Sequence, residues 1–373
     1  MAPTRRTFLK AAAAAAGQGL LLPLSSTWAA KDLEWDSRTM KEAYFYKALG
    51  QGTVQCLTCP HTCLIVPDRR GKCGAKINMK GRLYSISYAN PCALNVDPVE
   101  KKPLYHFQPG SRVFSLAVAG CNFTCLNCQN WEISQTTPDK TRNYYKPPED
   151  IVAHAIKNGC TSIAYTYSEA TTYYEYMLDT AKLAREQGIK NILVSNAYIN
   201  PDPARRLSQY MDGAALNLKS LSDRIYMDLN GGHLAPVQEA IKTYKDNGVW
   251  VEIIHLVVPT YTDNLDEIKR VCHWVAQNLG QETPFHLSRF YPNYRLVHLA
   301  ATPVDFMKEA GQTASKEGLK HVYLGNIPGL DNPVLCSVCH KTLVNRHGYH
   351  LDYNGVLDGR CPFCSTPVQG VWA

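Results

Sequence analysis

Three cysteines, Cys121, Cys125 and Cys128, lie within eight residues in the run Gly120-Cys121-Asn122-Phe123-Thr124-Cys125-Leu126-Asn127-Cys128-Gln129-Asn130. Spaced C-x3-C-x2-C, all three thiolates can turn inward from one loop and hold one metal centre. The count matters. Structural zinc and electron-carrying cubanes normally take four protein ligands, whereas metal chemistry on a substrate needs an open coordination position. A zinc loop whose fourth ligand lies elsewhere is the alternative, since the chain has fourteen cysteines.

Such a loop has to be delivered by something rigid. Residues 113–119 (VFSLAVA) are an apolar run ending at Gly120, which reads as a buried strand with the loop at its carboxyl end, where α/β folds carry their active sites. Beyond it the pattern alternates. Strands are expected at 162–167, 191–195, 214–218, 250–258, 285–289 and 321–324, and helices at 148–158, 171–187, 203–211, 235–247, 265–279 and 303–317. Gly159, Gly188 and Gly248 fall where helices should stop, and Pro148, Pro203 and Pro303 where they should start. This order predicts an α/β fold with a parallel sheet and crossover helices, a partial or full (β/α) barrel of the TIM type. The expected division is a leader at 1–30, a cysteine-rich region at 31–112, the barrel at 113–327 and a small module at 328–373.

Two further cysteine groups flank the barrel. Cys336-x2-Cys339 and Cys361-x2-Cys364, about twenty residues apart, form a zinc-ribbon or rubredoxin-like pattern, a metal staple for the carboxy-terminal module with iron electron transfer as the lesser reading. Cys56, Cys59, Cys63 and Cys73 offer four sulfurs with Pro60 and Gly74 for tight turns, and structural zinc and an auxiliary iron–sulfur cluster suit them equally. Cys92, Cys160 and Cys272 read as small buried hydrophobes.

The net charge of +7 is mild and spread along 373 residues, with no basic tract interleaved with aromatics, so a nucleic-acid partner is not expected. Arg5-Arg6, the alanines 11–16, the leucines 20–22 and the small residues before position 31 resemble a bacterial Tat signal. That implies periplasmic export of the folded protein, or a cytoplasmic protein if the signal is unused. No later segment is apolar enough to span a membrane.

The cysteine loop resembles that of the radical S-adenosylmethionine (SAM) superfamily. Other motifs narrow the likeness: Cys56-Leu-Thr-Cys-Pro60, Gly71-Lys-Cys-Gly74, Asp97-Pro-Val-Glu-Lys-Lys-Pro-Leu-Tyr-His-Phe107, Tyr165-Thr-Tyr-Ser-Glu169, Val194-Ser-Asn196, Leu216-Asn-Leu-Lys219, His255-Leu-Val-Val-Pro259 and Ser288-Arg-Phe-Tyr-Pro292. With these the chain resembles the radical SAM member of the AmmeMemoRadiSam system, related to pyruvate formate-lyase activating enzymes. The resemblance implies a [4Fe-4S] cluster on Cys121, Cys125 and Cys128, SAM on the open iron, and reductive cleavage to a 5′-deoxyadenosyl radical that abstracts hydrogen, a protein glycine being one target. It implies that Ser168 and Glu169 meet the SAM amino group, that Ser195 and Asn196 face its ribose or carboxylate, and that Lys219 contacts SAM or substrate. His255 and Arg289 become candidates for the substrate side, and residues 97–107 for a cap over the barrel mouth or a solvated charged loop. Three positions depart from the family pattern: Asn127 where an aromatic is usual, Ala170 for a proline and Ala197 for a glycine. The implied partners are an electron donor and either a protein substrate or a protein of the same family system. The competing class is an exported iron–sulfur or zinc electron carrier without SAM chemistry, which would need neither a barrel nor an open iron.

Overall fold

The computed structural model describes residues 36–372, so the leader expected at 1–30 lies outside the described residues. The centre is an eight-stranded sheet built from β1 (Ala93–Pro98), β2 (Arg112–Ala117), β3 (Ser162–Tyr165), β4 (Lys190–Ser195), β5 (Gly213–Asn217), β6 (Trp250–Val257), β7 (Phe285–Arg289) and β8 (Val322–Gly325). The strands lie side by side in chain order, β1 antiparallel to β2 and the rest parallel. Helices α1 (Pro148–Lys157), α2 (Tyr174–Glu186), α3 (Pro201–Ser208), α4 (Leu234–Asp246), α5 (Leu265–Leu279) and α6 (Val304–Lys316) make the six crossovers. Among the described residues no hydrogen-bonded pairing joins β1 to β8, so the ladder is not closed into a ring.

Pro148 opens α1, and left-handed glycines follow α1 and α2 (Gly159 φ +63°, Gly188 φ +71°), as the sequence predicts, whereas α3 opens at Pro201, two residues ahead of the Pro203 expected. The helix-facing side of the sheet packs Leu116, Ile163, Leu193, Leu216, Ile253 and Leu287 against apolar faces such as Ile151, Met177, Ile241 and Val271. Strand alternation sends Val113, Ala164, Ile192, Ala215 and Ile254 to the other, inner face.

That inner face is filled from the amino ends of the strands by residues 99–107. Val99, Leu104 and Phe107 are fully buried there, and Phe107 lies so close to Gly213 that a Cβ at 213 would come within 2.8 Å of its ring. The segment expected to cap the mouth therefore plugs the opposite end. Nor is it a solvated loop, because each charge has a partner. Lys102 Nζ donates to Asp97 at 2.7 Å, and Gly110 N donates to Glu100 at 2.8 Å. Glu252, on the inner face of β6, accepts from the backbone N–H groups of Tyr105 and His106 and pairs with His286 at 2.7 Å. Burial of the Lys102 ammonium pushes its pKa down to about 8 despite the Asp97 contact.

The carboxy-terminal module, with strands at Val334–Leu335, Thr342–His347 and His350–Asn354, shares a core with Tyr105 and Tyr323 and so braces the plug from outside. Fully buried Arg346 reaches Tyr105 O at 2.5 Å and stacks on that ring at 4.5 Å. His106 joins Gln369 O through Nδ1 (2.9 Å) and Tyr323 Oη through Nε2 (2.6 Å). On the amino-terminal side, two small antiparallel sheets precede β1. β1 falls inside the span read as cysteine-rich region, yet pairs with β2 over its full length. No helix among the described residues is long and apolar enough to cross a membrane.

Candidate active site

The cysteine loop leaves the carboxyl end of β2. Gly120 has φ +112°, and a Cβ there would come within 2.7 Å of the Cys73 carbonyl, so the loop starts at a position only glycine fills. The loop is then tied down along its length. Thr124 N donates to Asn230 O at 2.8 Å, Leu126 N to Leu229 O at 3.0 Å, and Phe123 is buried between Tyr198 and Tyr226. Phe123 N and Asn230 Nδ2 point at the sulfurs of Cys121 (3.4 Å) and Cys125 (3.2 Å), the kind of donor that stabilises a metal-bound thiolate. Burial, then the nearby Glu169 and Cys125, raises the Cys121 thiol well above its ordinary pKa; burial, then Cys125, raises Cys128. A bound cation is what would keep such thiols ionised.

The three sulfurs are not gathered as tightly as a single ion would need. Among the described residues, the only group of three or more Cys, His, Asp or Glu with all donor atoms within 4.8 Å of one another is Cys336, Cys339, Cys361 and Cys364. There the sulfurs of Cys336 and Cys364 are 3.6 Å apart and those of Cys339 and Cys361 3.7 Å. Tetrahedral zinc with Zn–S of about 2.3 Å sets its sulfurs about 3.8 Å apart, so this group could hold one metal ion. Cys121, Cys125 and Cys128 do not converge that way, and a cubane, which seats each thiolate on its own iron, holds them roughly 6 Å apart.

Beside the loop, at the ends of β3 and β4, stands a buried carboxylate. Glu169 Oε1 accepts from Thr171 N (3.0 Å), Thr171 Oγ1 (2.7 Å) and Ser195 Oγ (2.7 Å), and Oε2 accepts from Asn196 N (2.9 Å). One oxygen is thus saturated, while Oε2 keeps room for a further donor. Ser168 Oγ donates to Val118 O at 2.6 Å, just ahead of the cysteine loop. The Asn196 amide is tied into the chain, with one N–H and one lone pair left over: Nδ2 donates to Asn122 Oδ1 and Oδ1 accepts from Tyr198 N, both at 2.8 Å, while Asn122 Nδ2 donates to Tyr198 O. Asn196 therefore positions the cysteine loop through its side chain. Ala197 follows with φ +57°, the left-handed geometry that explains the usual glycine. Lys219, beyond β5, lies near enough to Cys128 for its charge to favour that thiolate. Asn127 Oδ1 is buried with no partner in the chain, an acceptor beside Cys128 that a bound donor would satisfy.

Two candidates fall elsewhere. His255 shares its strand face with Ile253 and Val257, which pack toward the helices, and its Nδ1 contacts Leu218 O at 2.9 Å. Arg289 is held by Thr302 O (2.7 Å) and Tyr291 Oη (2.8 Å) in the loop after β7. Sequence reasoning passed over Asn122, Thr171 and Asn230. Asn122 alone carried a signal, being a small amide inside the cysteine run. Of the three cysteines read as small hydrophobes, Cys160 and Cys272 are buried and Cys92 is half-buried.

A largely parallel α/β sheet thus carries a three-cysteine loop at its carboxyl end, a donor set that could hold a metal centre with an open position. The chain carries a Radical SAM domain, the superfamily profile matching residues 116–275. It is 41% identical over 333 residues to the uncharacterized protein MJ0808 of Methanocaldococcus jannaschii, covering 88% of this chain and 99% of that protein. It is 23% identical over 174 residues to the pyruvate formate-lyase-activating enzyme of Clostridium pasteurianum, covering 45% of this chain and 72% of that enzyme. Among solved structures, a radical SAM methyltransferase from Sphaerobacter thermophilus superposes with a TM-score of 0.47 at 14% identity, over 58% of this chain and 67% of the other.

Proposed function

We propose that this protein is a radical SAM enzyme that cleaves SAM reductively and abstracts a hydrogen atom from a substrate bound at the carboxyl end of a partial barrel. The observation that carries the reading is the Cys121–Cys128 loop docked against the Glu169–Ser195–Asn196 network at the carboxyl ends of the strands. When bound, a reduced [4Fe-4S] cluster supplies one electron to the SAM sulfonium, giving methionine and a 5′-deoxyadenosyl radical that takes a substrate hydrogen. The chain's own residues do the positioning. Cys121, Cys125 and Cys128 hold three irons, and Glu169 Oε2 accepts from the SAM ammonium in a charge-assisted bond. Ser168 Oγ, its proton given to Val118 O, can accept from the same ammonium, Lys219 serves the carboxylate side, and Asn127 Oδ1 accepts from the adenine amino group. The Asn122–Asn196 amide pair keeps loop and carboxylate in register.

In this reading the chain is the radical SAM member of the AmmeMemoRadiSam system, draws electrons from a low-potential donor, and acts on a protein glycine or on a protein of that system. Export through the Tat route would place it in the periplasm already folded. The test is anaerobic: reconstitute with iron and sulfide, reduce with dithionite, add SAM, and quantify 5′-deoxyadenosine and methionine. Both products are expected, and both should vanish in Cys125→Ala. A reduced, fully loaded cluster that leaves SAM intact would refute the reading and return the protein to the electron carriers.

A further inference from the structure

The quartet Cys56, Cys59, Cys63 and Cys73 has no part in the chemistry above, yet it is pressed against the site that has. All four thiols are free. Cys56, Cys59 and Cys73 line one cavity together with Lys76, Asn122 and Thr171. Asn122 belongs to the radical SAM loop, and Thr171 donates to Glu169. The backbones interlock as well. Gly120 abuts the Cys73 carbonyl, His61 Nε2 lies 2.7 Å from Asn122 O, and Asn200 N donates to Thr58 O at 3.1 Å. The cysteine segment thus covers the carboxyl end of the sheet, next to the triad.

Three features set the kind of metal. First, no three of these sulfurs lie within 4.8 Å of one another, although the carboxy-terminal quartet of the same chain meets that spacing for one ion. As at the Cys121 triad, the sulfurs are not gathered as one ion would need, whereas a cubane seats each thiolate on its own iron. Second, the backbone that presents them is fixed. Cys56 N donates to Cys63 O (3.0 Å), Thr62 N to Cys59 O (3.1 Å) and Gly74 N to Gly71 O (2.9 Å), which holds the four thiols around one place. Third, the Thr58 hydroxyl lies 3.7 Å from the Cys56 sulfur, a polar neighbour for a bound thiolate. Fully buried Lys76, paired with Glu175, adds a positive charge beside a group that four thiolates would make negative.

We propose that Cys56, Cys59, Cys63 and Cys73 bind a second, fully ligated iron–sulfur cubane beside the SAM-binding centre. The inference stands on this quartet alone and does not depend on SAM cleavage.

The experiment counts iron, labile sulfide and zinc in the full chain, purified and reconstituted anaerobically. Sulfide counts clusters alone, whatever ion fills the carboxy-terminal site. The variant Cys121→Ala/Cys125→Ala/Cys128→Ala should keep about four sulfides per chain. Adding Cys59→Ser and Cys73→Ser should remove them while the carboxy-terminal ion stays. A triple variant without sulfide, with or without an extra zinc, overturns the proposal. If that variant does not fold, the wild type is compared with Cys59→Ser/Cys73→Ser. About eight sulfides against about four support the proposal, and equal counts overturn it.

Discussion

Replacing Glu169 with glutamine separates what the carboxylate does for the fold from what it does for SAM. Glu169 is 2% exposed and receives four hydrogen bonds, three on Oε1 and one on Oε2. In Glu169→Gln the amide oxygen keeps the three donors but loses the charge, taking each bond from about 2 to about 1 kcal/mol, about 3 in total. The amide nitrogen then faces Asn196 N–H, donor against donor, and leaves that buried group unsatisfied at about 1–3 kcal/mol. Relief from burying a charge returns part of this, so the expected net loss is about 3 kcal/mol. Urea unfolding of the metal-loaded variant measures it. At temperatures where the variant is still folded, loss of the charge-assisted bond to the SAM ammonium, about 1.5–3 kcal/mol, weakens binding about 10- to 100-fold by calorimetry. A variant within about 0.5 kcal/mol of wild type would mean that the network does not hold the loop. Lost stability with unchanged SAM affinity would make Glu169 a brace and remove it from the SAM site.

Other expectations concern the far end of the sheet. Phe107→Ala empties a fully buried position against Gly213 and should cost about 3–5 kcal/mol of stability, with SAM cleavage per folded molecule unchanged; a loss under about 1 kcal/mol would contradict the plug. Burial, reinforced by neighbouring His321, pushes the His106 pKa down to about 3, so the folded protein keeps this ring neutral while the unfolded chain protonates it below about 6.5. Stability is thus lost as pH falls through 6.5, about 2 kcal/mol by pH 5 from this residue, and His106→Gln should unfold in urea with a flatter dependence between pH 7 and 5. Cys361→Ser/Cys364→Ser should remove one metal ion per chain and destabilise the whole protein, since the module shares its core with Tyr105 and Tyr323; metal analysis and thermal unfolding check both.

The sequence made legible whatever depends on local periodicity. The seven parallel strands and six helices lie within a few residues of expectation because proline and glycine punctuate them and the apolar faces repeat. The carboxy-terminal quartet was readable from its two short C-x2-C pairs, which the structure brings together, and the Cys121–Cys128 run was readable as a loop leaving the carboxyl end of a strand. What stayed hidden depends on partners remote in sequence. β1 carries Asn95 and Asp97 and ends at Pro98, which does not look like a strand until β2 pairs with it. Glu100, Lys102 and His106 look like surface residues, yet they are buried because Gly110, Asp97 and Tyr323 receive them. His255 looked like a strand-end ligand, but the alternation of β6 turns it toward the helices. Asn196 looked like a SAM contact, and only the geometry shows its amide joined to Asn122.

The plug has one more consequence, for the order in which the molecule can be completed. His106 finds Gln369 across 263 residues, and Tyr105 finds Arg346 across 241. Closing loops of that length is entropically slow, and until it happens Phe107 and the buried charges around it wait for their cover. A metal ion at Cys336, Cys339, Cys361 and Cys364 shapes the segment that must arrive. Were a metal ion bound there, its uptake at one pole would set when the other pole, carrying the cysteine loop, stands on a finished floor. The two poles share no ligand, and a chain starved of that ion would show its defect first as late maturation.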